Sequence, residues 1–204
     1  MKLCALFFAP LLCVVAAPAL AQTNPALSRT LDSLAAADQR PMQAMMQGAL
    51  ADSTRNRLIA EEQANYVRHQ PILEAMIRQH GFPGYAMVGE KSSDNFWLVV
   101  QHADAHPDFQ QRVLALMLPE VKRHNASPKS YAYLTDRVAL NTGKPQEYGT
   151  QVEYTGSGIG EPVPRTLRDP KNVNSRRAAI GLEPLEKYLA LLSQLHQQMN
   201  TPAK

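Results

Sequence analysis

From Ala26 to Asn141 the apolar residues of this chain recur every three or four positions, and only from Gln146 onward does the period drop to two. That switch constrains the fold more than any other feature. A period near 3.6 buries one face of a helix, and a period of two buries one face of a strand. Leu27, Leu31 and Leu34 share one stripe, which predicts a first helix from Ala26 to Asp38, ended or restarted at Pro41. A second is predicted from Thr54 to Arg68, through Leu58, Ile59, Ala64 and Val67. Pro71 would then open a separate helix carrying Ile72, Leu73, Met76 and Ile77, closed by the turn cluster Gly81-Phe82-Pro83-Gly84.

The segment Ser93 to His102 is apolar nearly all round through Phe96, Trp97, Val99 and Val100, the pattern of a buried helix. Pro107 suits the first position of the next helix, with His106 in the capping slot. Ser127-Pro128 and Gly143 bracket another, through Tyr131, Leu134 and Val138. Beyond it, Tyr148, Thr150, Val152 and Tyr154 alternate as one face of a strand over Gln146 to Tyr154. Gly156-Ser157-Gly158 reads as the hairpin turn and Glu161 to Arg165 as the return strand, held to an edge by Pro162 and Pro164. Asp169-Pro170 restarts a helix to about Ile180, capped by Gly181, and Leu185, Tyr188, Leu189, Leu192 and Leu195 mark the last helix. The tail Thr201 to Lys204 should fray. The expected class is mainly α: a single-domain helical bundle with one small antiparallel β-hairpin at about 146–165.

The first residues have the form of a secretory leader. Lys2 precedes an apolar stretch from Leu3 to about Ala17, and Ala19-Leu20-Ala21 has the small-x-small form of a cleavage site. The expectation is a signal peptide over 1–21, cleavage before Gln22, a periplasmic or secreted protein, and one globular domain over 22–204. The 204 residues less the 21 of the leader leave 183, enough for a proper core. Both cysteines, Cys4 and Cys13, fall in the leader, so a disulfide scaffold, a zinc–thiolate site and a cysteine nucleophile are excluded from the mature chain. Lys2 is the only charge lost, taking the 21 basic residues to 20 against 18 acidic ones. No basic run with interleaved aromatics points to nucleic acid. No second long apolar run points to a membrane span.

Polar blocks pressed against apolar stripes mark where chemistry is expected, because such groups are costly to bury unless partnered. Gln101-His102-Ala103-Asp104 closes the buried helix, and His102 lies three and four residues after Val99 and Leu98 on its stripe. A histidine there is a candidate general acid or base, with Asp104 or Asp136 to orient it. The same histidine could serve the core alone by hydrogen-bonding the following loop. Asp136 and Arg137 share helical spacing with Tyr133 and Leu140. Tyr148-Gly149-Thr150-Gln151 places a glycine in a strand, which marks a bulge or a close approach. Arg176 and Arg177 lie in a helix with Arg165 and Arg168 upstream; most such arginines are solvated, but one of them could reach back to Asp136 or Asp104, and Asp38 sits on the core stripe of the first helix. His106 lies four residues beyond His102, but the break at Pro107 argues against a shared metal, and no cofactor is implied. Gly156-x-Gly158-x-Gly160 is rejected as a phosphate loop because Pro162 and Pro164 forbid the helix that would follow it.

In combination, the blocks GFPGYAMVGEKSSDNFWLVVQHADAHPDFQ, YAYLTDRV, QEYGTQV and RRAAIGLEPLEKYL resemble a bacterial family of domains of unknown function, secreted or attached to other modules. The likeness runs from about Leu31 to the last helix. It implies signature positions at Gln101, His102, Asp104, Asp136, Arg137, Tyr148, Gly149, Thr150, Gln151 and Arg177, with an Asp-Gln pair at Asp38-Gln39. It brings no reaction, substrate or cofactor.

Three functions fit these residues. The first is a cofactor-independent hydrolase or group-transfer enzyme. In it His102, Asp104 and Asp136 are catalytic, Gln101, Tyr148, Thr150, Gln151 and Asp38 bind substrate, and Arg137 and Arg177 hold an anionic group. The second is a binding module that grips a small molecule, peptide or glycan of the cell envelope. The third is a buried polar network that fixes the hairpin on the helices.

Overall fold

The structure, a computed structural model, describes residues 23–48, 50–156 and 160–200. The expected leader over 1–21 with Cys4 and Cys13, the expected mature start Gln22, the turn residues Ser157 and Gly158, and the tail from Thr201 lie outside the described residues. Among the described residues, eight α-helices and one two-stranded antiparallel sheet make a mainly α domain.

Helices α1 (Pro25–Met46), α2 (Asp52–His80) and α4 (Glu90–Val100) pack together, with the single turn α3 (Tyr85–Val88) leading into α4. Helices α5 (Pro107–Lys122) and α6 (Pro128–Asn141) form a second pair. Between them Leu31, Leu73, Phe96, Val100, Phe109, Val113, Met117 and Leu134 make the main core. Strands β1 (Val152–Thr155) and β2 (Glu161–Pro164) pair with Val152 opposite Pro164 and Thr155 opposite Glu161. A 3-10 turn at Pro170–Asn172, α7 (Val173–Ala179) and α8 (Leu185–Asn200) complete the chain. Val173, Leu185 and Tyr188 form a smaller core with Tyr133 of α6, Val152 and Leu167.

Two helix boundaries differ from the sequence reading, for one chemical reason each. Pro41 does not stop α1 but lies inside it, buried. A proline removes the N–H that would bond the carbonyl four residues back. Here that acceptor, the Ala37 carbonyl, receives Asn65 Nδ2 of α2 instead, at 2.8 Å. Pro71 likewise lies within a continuous α2 and does not open a new helix. Its orphaned acceptor belongs to Val67, which is 74% exposed and open to water. The starts at Pro107 and Ser127-Pro128 are where the spacing places them, with Ser127 Oγ accepting Ser130 N–H at 3.1 Å.

The first strand is shorter than the alternation implies. Regular pairing begins only at Val152, and residues 146–151 form a loop. The amides of Glu147, Tyr148 and Thr150 are taken by the carboxylate of Asp136, so these residues are not free to form a ladder. Gly149 in this loop has φ +71°, and a Cβ there would lie 3.0 Å from Leu185 Cδ1. The left-handed φ favours glycine, and any larger residue would also have to push the Leu185 side chain aside.

Candidate functional site

Two inward-facing aspartates organise the polar residues into two clusters. Asp38 lies on the buried stripe of α1, seven residues after Leu31 and three after Ala35, and is 2% exposed. His102 follows the last turn of α4 and presents its ring to that carboxylate. Its Nδ1 lies 2.8 Å from Asp38 Oδ2, which also accepts Gln39 Nε2 at 2.8 Å. The other oxygen, Oδ1, is buried without a hydrogen bond and faces the equally unbonded Nδ1 of His69 at 3.9 Å. Burial pushes the His69 imidazole below its ordinary value and outweighs the upward pull of Asp38. His69 is therefore a neutral ring at neutral pH.

The His102 ring, 21% exposed, packs at 5.1 Å against Tyr66 and lines a cavity of about 300 Å³. Gln63, Tyr66, Val67, Asp104 and His106 share its wall. With Nδ1 held by Asp38, Nε2 is the nitrogen left for a ligand. Tyr66 donates its hydroxyl to Glu62 at 2.7 Å. Burial and that bond raise its phenol well above the usual range, so it stays protonated.

Asp104 does not orient His102. It closes a two-toothed pair with Arg137, Nε to Oδ1 at 2.7 Å and Nη2 to Oδ2 at 2.5 Å, and Asn141 Nδ2 adds a bond at 2.8 Å. Burial alone would raise the Asp104 carboxyl, but Arg137, Asn141 and Gln110 outweigh it and hold the group below its ordinary value. Asp104 also lines a second, smaller cavity of about 160 Å³ with Arg137, Leu140, Asn141, Gln151 and Arg165. The two cavities thus share Asp104 as a common wall.

Asp136 and Arg137 part company despite being neighbours. Arg137 turns out to Asp104, while Asp136 turns in and is 0% exposed. Asp136 Oδ1 accepts the amides of Glu147 (2.7 Å) and Tyr148 (2.9 Å). Its Oδ2 accepts the Thr150 amide and the Thr150 hydroxyl, both at 2.9 Å. Burial raises this carboxyl against the pull of those four donors. Arg177 does not reach Asp136 or Asp104. It is 1% exposed and donates to the carbonyls of Glu183 and Tyr148, each at 2.6 Å, with its guanidinium 5.0 Å from the Tyr188 ring centre. Tyr188 in turn donates to the Thr150 carbonyl at 2.9 Å.

The residues singled out from the sequence therefore fall into two groups. His102, Asp104, Arg137, Gln151 and Asp38 gather at or behind the paired cavities. Asp136, Tyr148, Thr150 and Arg177 knot the loop 146–151 onto α6, α7 and α8 and line neither of these cavities. Gln101 closes α4, its carbonyl accepting Gln110 Nε2 at 3.2 Å, and also lines neither.

Several participants escaped the sequence reading. His69 and Asn65 sit on the buried stripe of α2 with Leu58, Leu73 and Met76, and polar residues on such a stripe are the signal that identifies them. Gln110 occupies the same kind of position on α5. Gln146 carries no comparable signal, since it lies in a loop without a period, and nothing in the spacing sets Arg165 apart from the arginines that follow it. Among the described residues no group of three or more His, Cys, Asp or Glu is placed to hold a metal, and no helix is long and apolar enough to cross a membrane.

A model of a family of unknown function, DUF6624, matches residues 25–198. No curated protein and no solved structure matches the chain.

Proposed function

The chain belongs to the DUF6624 family of unknown function, and we propose that it is a cofactor-independent acid–base enzyme, a hydrolase or group-transfer catalyst in which His102 moves the proton. One observation carries this reading. A fully buried carboxylate holds one nitrogen of a part-exposed imidazole at 2.8 Å, and that imidazole lines a cavity. Asp38 accepts the Nδ1–H, which fixes the tautomer and leaves the Nε2 lone pair toward the cavity. Nε2 takes a proton from water or a substrate hydroxyl as its oxygen adds to the electrophilic centre. It returns that proton to the leaving group as the old bond breaks, so His102 ends as it began. Asp38 stabilises the imidazolium between the two transfers and is a positioning residue. General acid–base catalysis of this kind contributes roughly 10²–10⁴-fold.

Asp136, by contrast, is assigned to the scaffold. Its four donors leave no lone pair directed at a ligand, which favours the polar-network reading for that cluster alone. The leader over 1–21 sets the cell envelope as the compartment from which substrates are drawn. N-terminal sequencing of the exported protein should begin at Gln22, and an unprocessed chain in the cytoplasm would refute that setting.

The test is turnover of a panel of envelope-type esters, amides, phosphoesters and glycosides by the wild type and by His102→Ala and Asp38→Asn. Both variants should keep the wild-type circular dichroism spectrum and lose roughly 10²-fold or more of any turnover found. A folded His102→Ala that retains it overturns the acid–base assignment.

A further inference from the structure

We propose that the small cavity beside His102 binds an oxyanion, the carboxylate or phosphate of the substrate, with Arg165 as its principal ligand and Arg137 and Gln151 completing the site. For its link to chemistry this rests on the acid–base reading of His102; the binding itself does not.

Charge is the first argument. The cavity is lined by two arginines and one aspartate. The carboxylate, Asp104, is already matched by Nε and Nη2 of Arg137 and by Asn141. Arg137 therefore brings little net charge, but its Nη1 remains outside that pair. Arg165 has no carboxylate partner among the described residues. Its positive charge is the uncompensated one in the cavity, and a guanidinium fork matches the two oxygens of a carboxylate or phosphate.

Preorganisation is the second. Gln146 is 0% exposed and acts as a clamp behind the cavity. Its Nε2 donates to the Gln151 carbonyl at 2.9 Å and to the Arg165 carbonyl at 2.8 Å. Its Oε1 accepts the Gln151 amide at 3.0 Å, and the Arg165 amide donates to the Gln151 carbonyl at 3.1 Å. Four bonds thus fix the backbones of Gln151 and Arg165 before any ligand arrives. The Gln151 side chain donates from Nε2 to Thr150 Oγ1 at 3.1 Å, and Thr150 Oγ1 donates to Asp136 in turn. A rim ordered in advance loses less entropy on binding.

Size is the third. A volume of about 160 Å³ is room enough for a carboxylate or phosphate. Asp104 separates this space from the His102 cavity and lines both. A substrate spanning the shared wall would put its anion on Arg165 and its reactive bond at His102. The substrate class is then a small anionic ester, amide or phosphate derivative, not a neutral glycan.

Titration of the full chain with inorganic phosphate and, separately, with acetate tests the proposal, using calorimetry or NMR with sodium chloride at matched ionic strength as the control. At least one anion should bind saturably. Arg165→Ala should weaken it tenfold or more at unchanged melting temperature, because the Arg165 side chain is exposed, and Arg165→Lys should recover part of the loss. Binding of phosphate alone or acetate alone names which oxyanion the substrate carries. Absence of binding by both, or equal binding by Arg165→Ala, overturns the site. His102→Ala should bind as the wild type does; if it also keeps turnover, the acid–base reading fails while the anion site stands.

Discussion

Asp38 and Asp136 are both helical carboxylates turned into the protein, 2% and 0% exposed, yet their surroundings are opposite. Asp136 meets four donors, three of them backbone amides of one short loop. Asp38 meets two donors, both on one oxygen, while its second oxygen and the facing His69 nitrogen make no hydrogen bond. Amides of a fixed loop cannot give up a proton, so Asp136 can only hold structure. An imidazole can, which is why the acid–base role is proposed for His102 beside Asp38 and not for the Asp136 cluster. Under-satisfied buried polar atoms cost stability, and their survival beside a cavity is a reason to assign function there.

Replacing each aspartate breaks this contrast most sharply. Asp136→Ala would leave the four donors without an acceptor and should cost about 3–5 kcal/mol in denaturant unfolding. Asp136→Asn should still cost about 1–3 kcal/mol, because its NH2 group would face amide N–H donors. Asp38→Asn should cost no more than about 1 kcal/mol, since its NH2 can turn toward the neutral His69 Nδ1. If Asp38→Asn proves the more destabilising of the two isosteric changes, the division into scaffold and site is wrong.

Smaller effects probe how α2 supports the Asp38 cluster. Asn65→Ala should cost about 1–2 kcal/mol by stranding the Ala37 carbonyl, one turn before Pro41. Pro41→Ala restores a helical N–H to that carbonyl, so the double variant should show a favourable coupling energy; strict additivity would refute the explanation given for the uninterrupted helix.

His69 supplies a pH test of the same region. Its folded-state pKa lies below the ordinary 6.5. The unfolded chain therefore binds the proton first, and the stability is present above about pH 6.5 and lost as pH falls through the folded value. His69→Gln should flatten the unfolding free energy across that window; an unchanged slope would remove His69 from the titrating groups.

The helices were readable because each buries a stripe whose spacing is local. The interruptions at Pro41 and Pro71 were misread because the compensation is tertiary: a side chain from α2 in one case and solvent in the other. The alternation over 146–154 suggests a strand along its whole length, but an acceptor more than ten residues earlier captures three of its amides. Local pattern cannot foresee that competition. At the site, Asp38 and His102 were each visible as polar residues on apolar stripes. Their pairing was not, because 64 residues separate them. Asp104 looked like the natural partner only because it is near in sequence; the tight turn after α4 aims it at Arg137.

The least effect belongs to that Asp104–Arg137 pair, where the side chains are 44% and 29% exposed. Solvent screens such pairs, so Asp104→Asn should change stability by only about 0.2–1 kcal/mol. The pH dependence separates it from His69. Asp104 has a folded pKa below 3.8, so its contribution is present above about pH 3.8 and fades as pH falls through the lowered value. Asp104→Asn should therefore reduce only the acid limb below about pH 4 and leave the limb near pH 6.5 in place. It should also tighten oxyanion binding at the neighbouring cavity, because Arg137 would lose the carboxylate that neutralises it. Weaker anion binding in Asp104→Asn would mean that the carboxylate positions Arg137 for the ligand instead of competing with it.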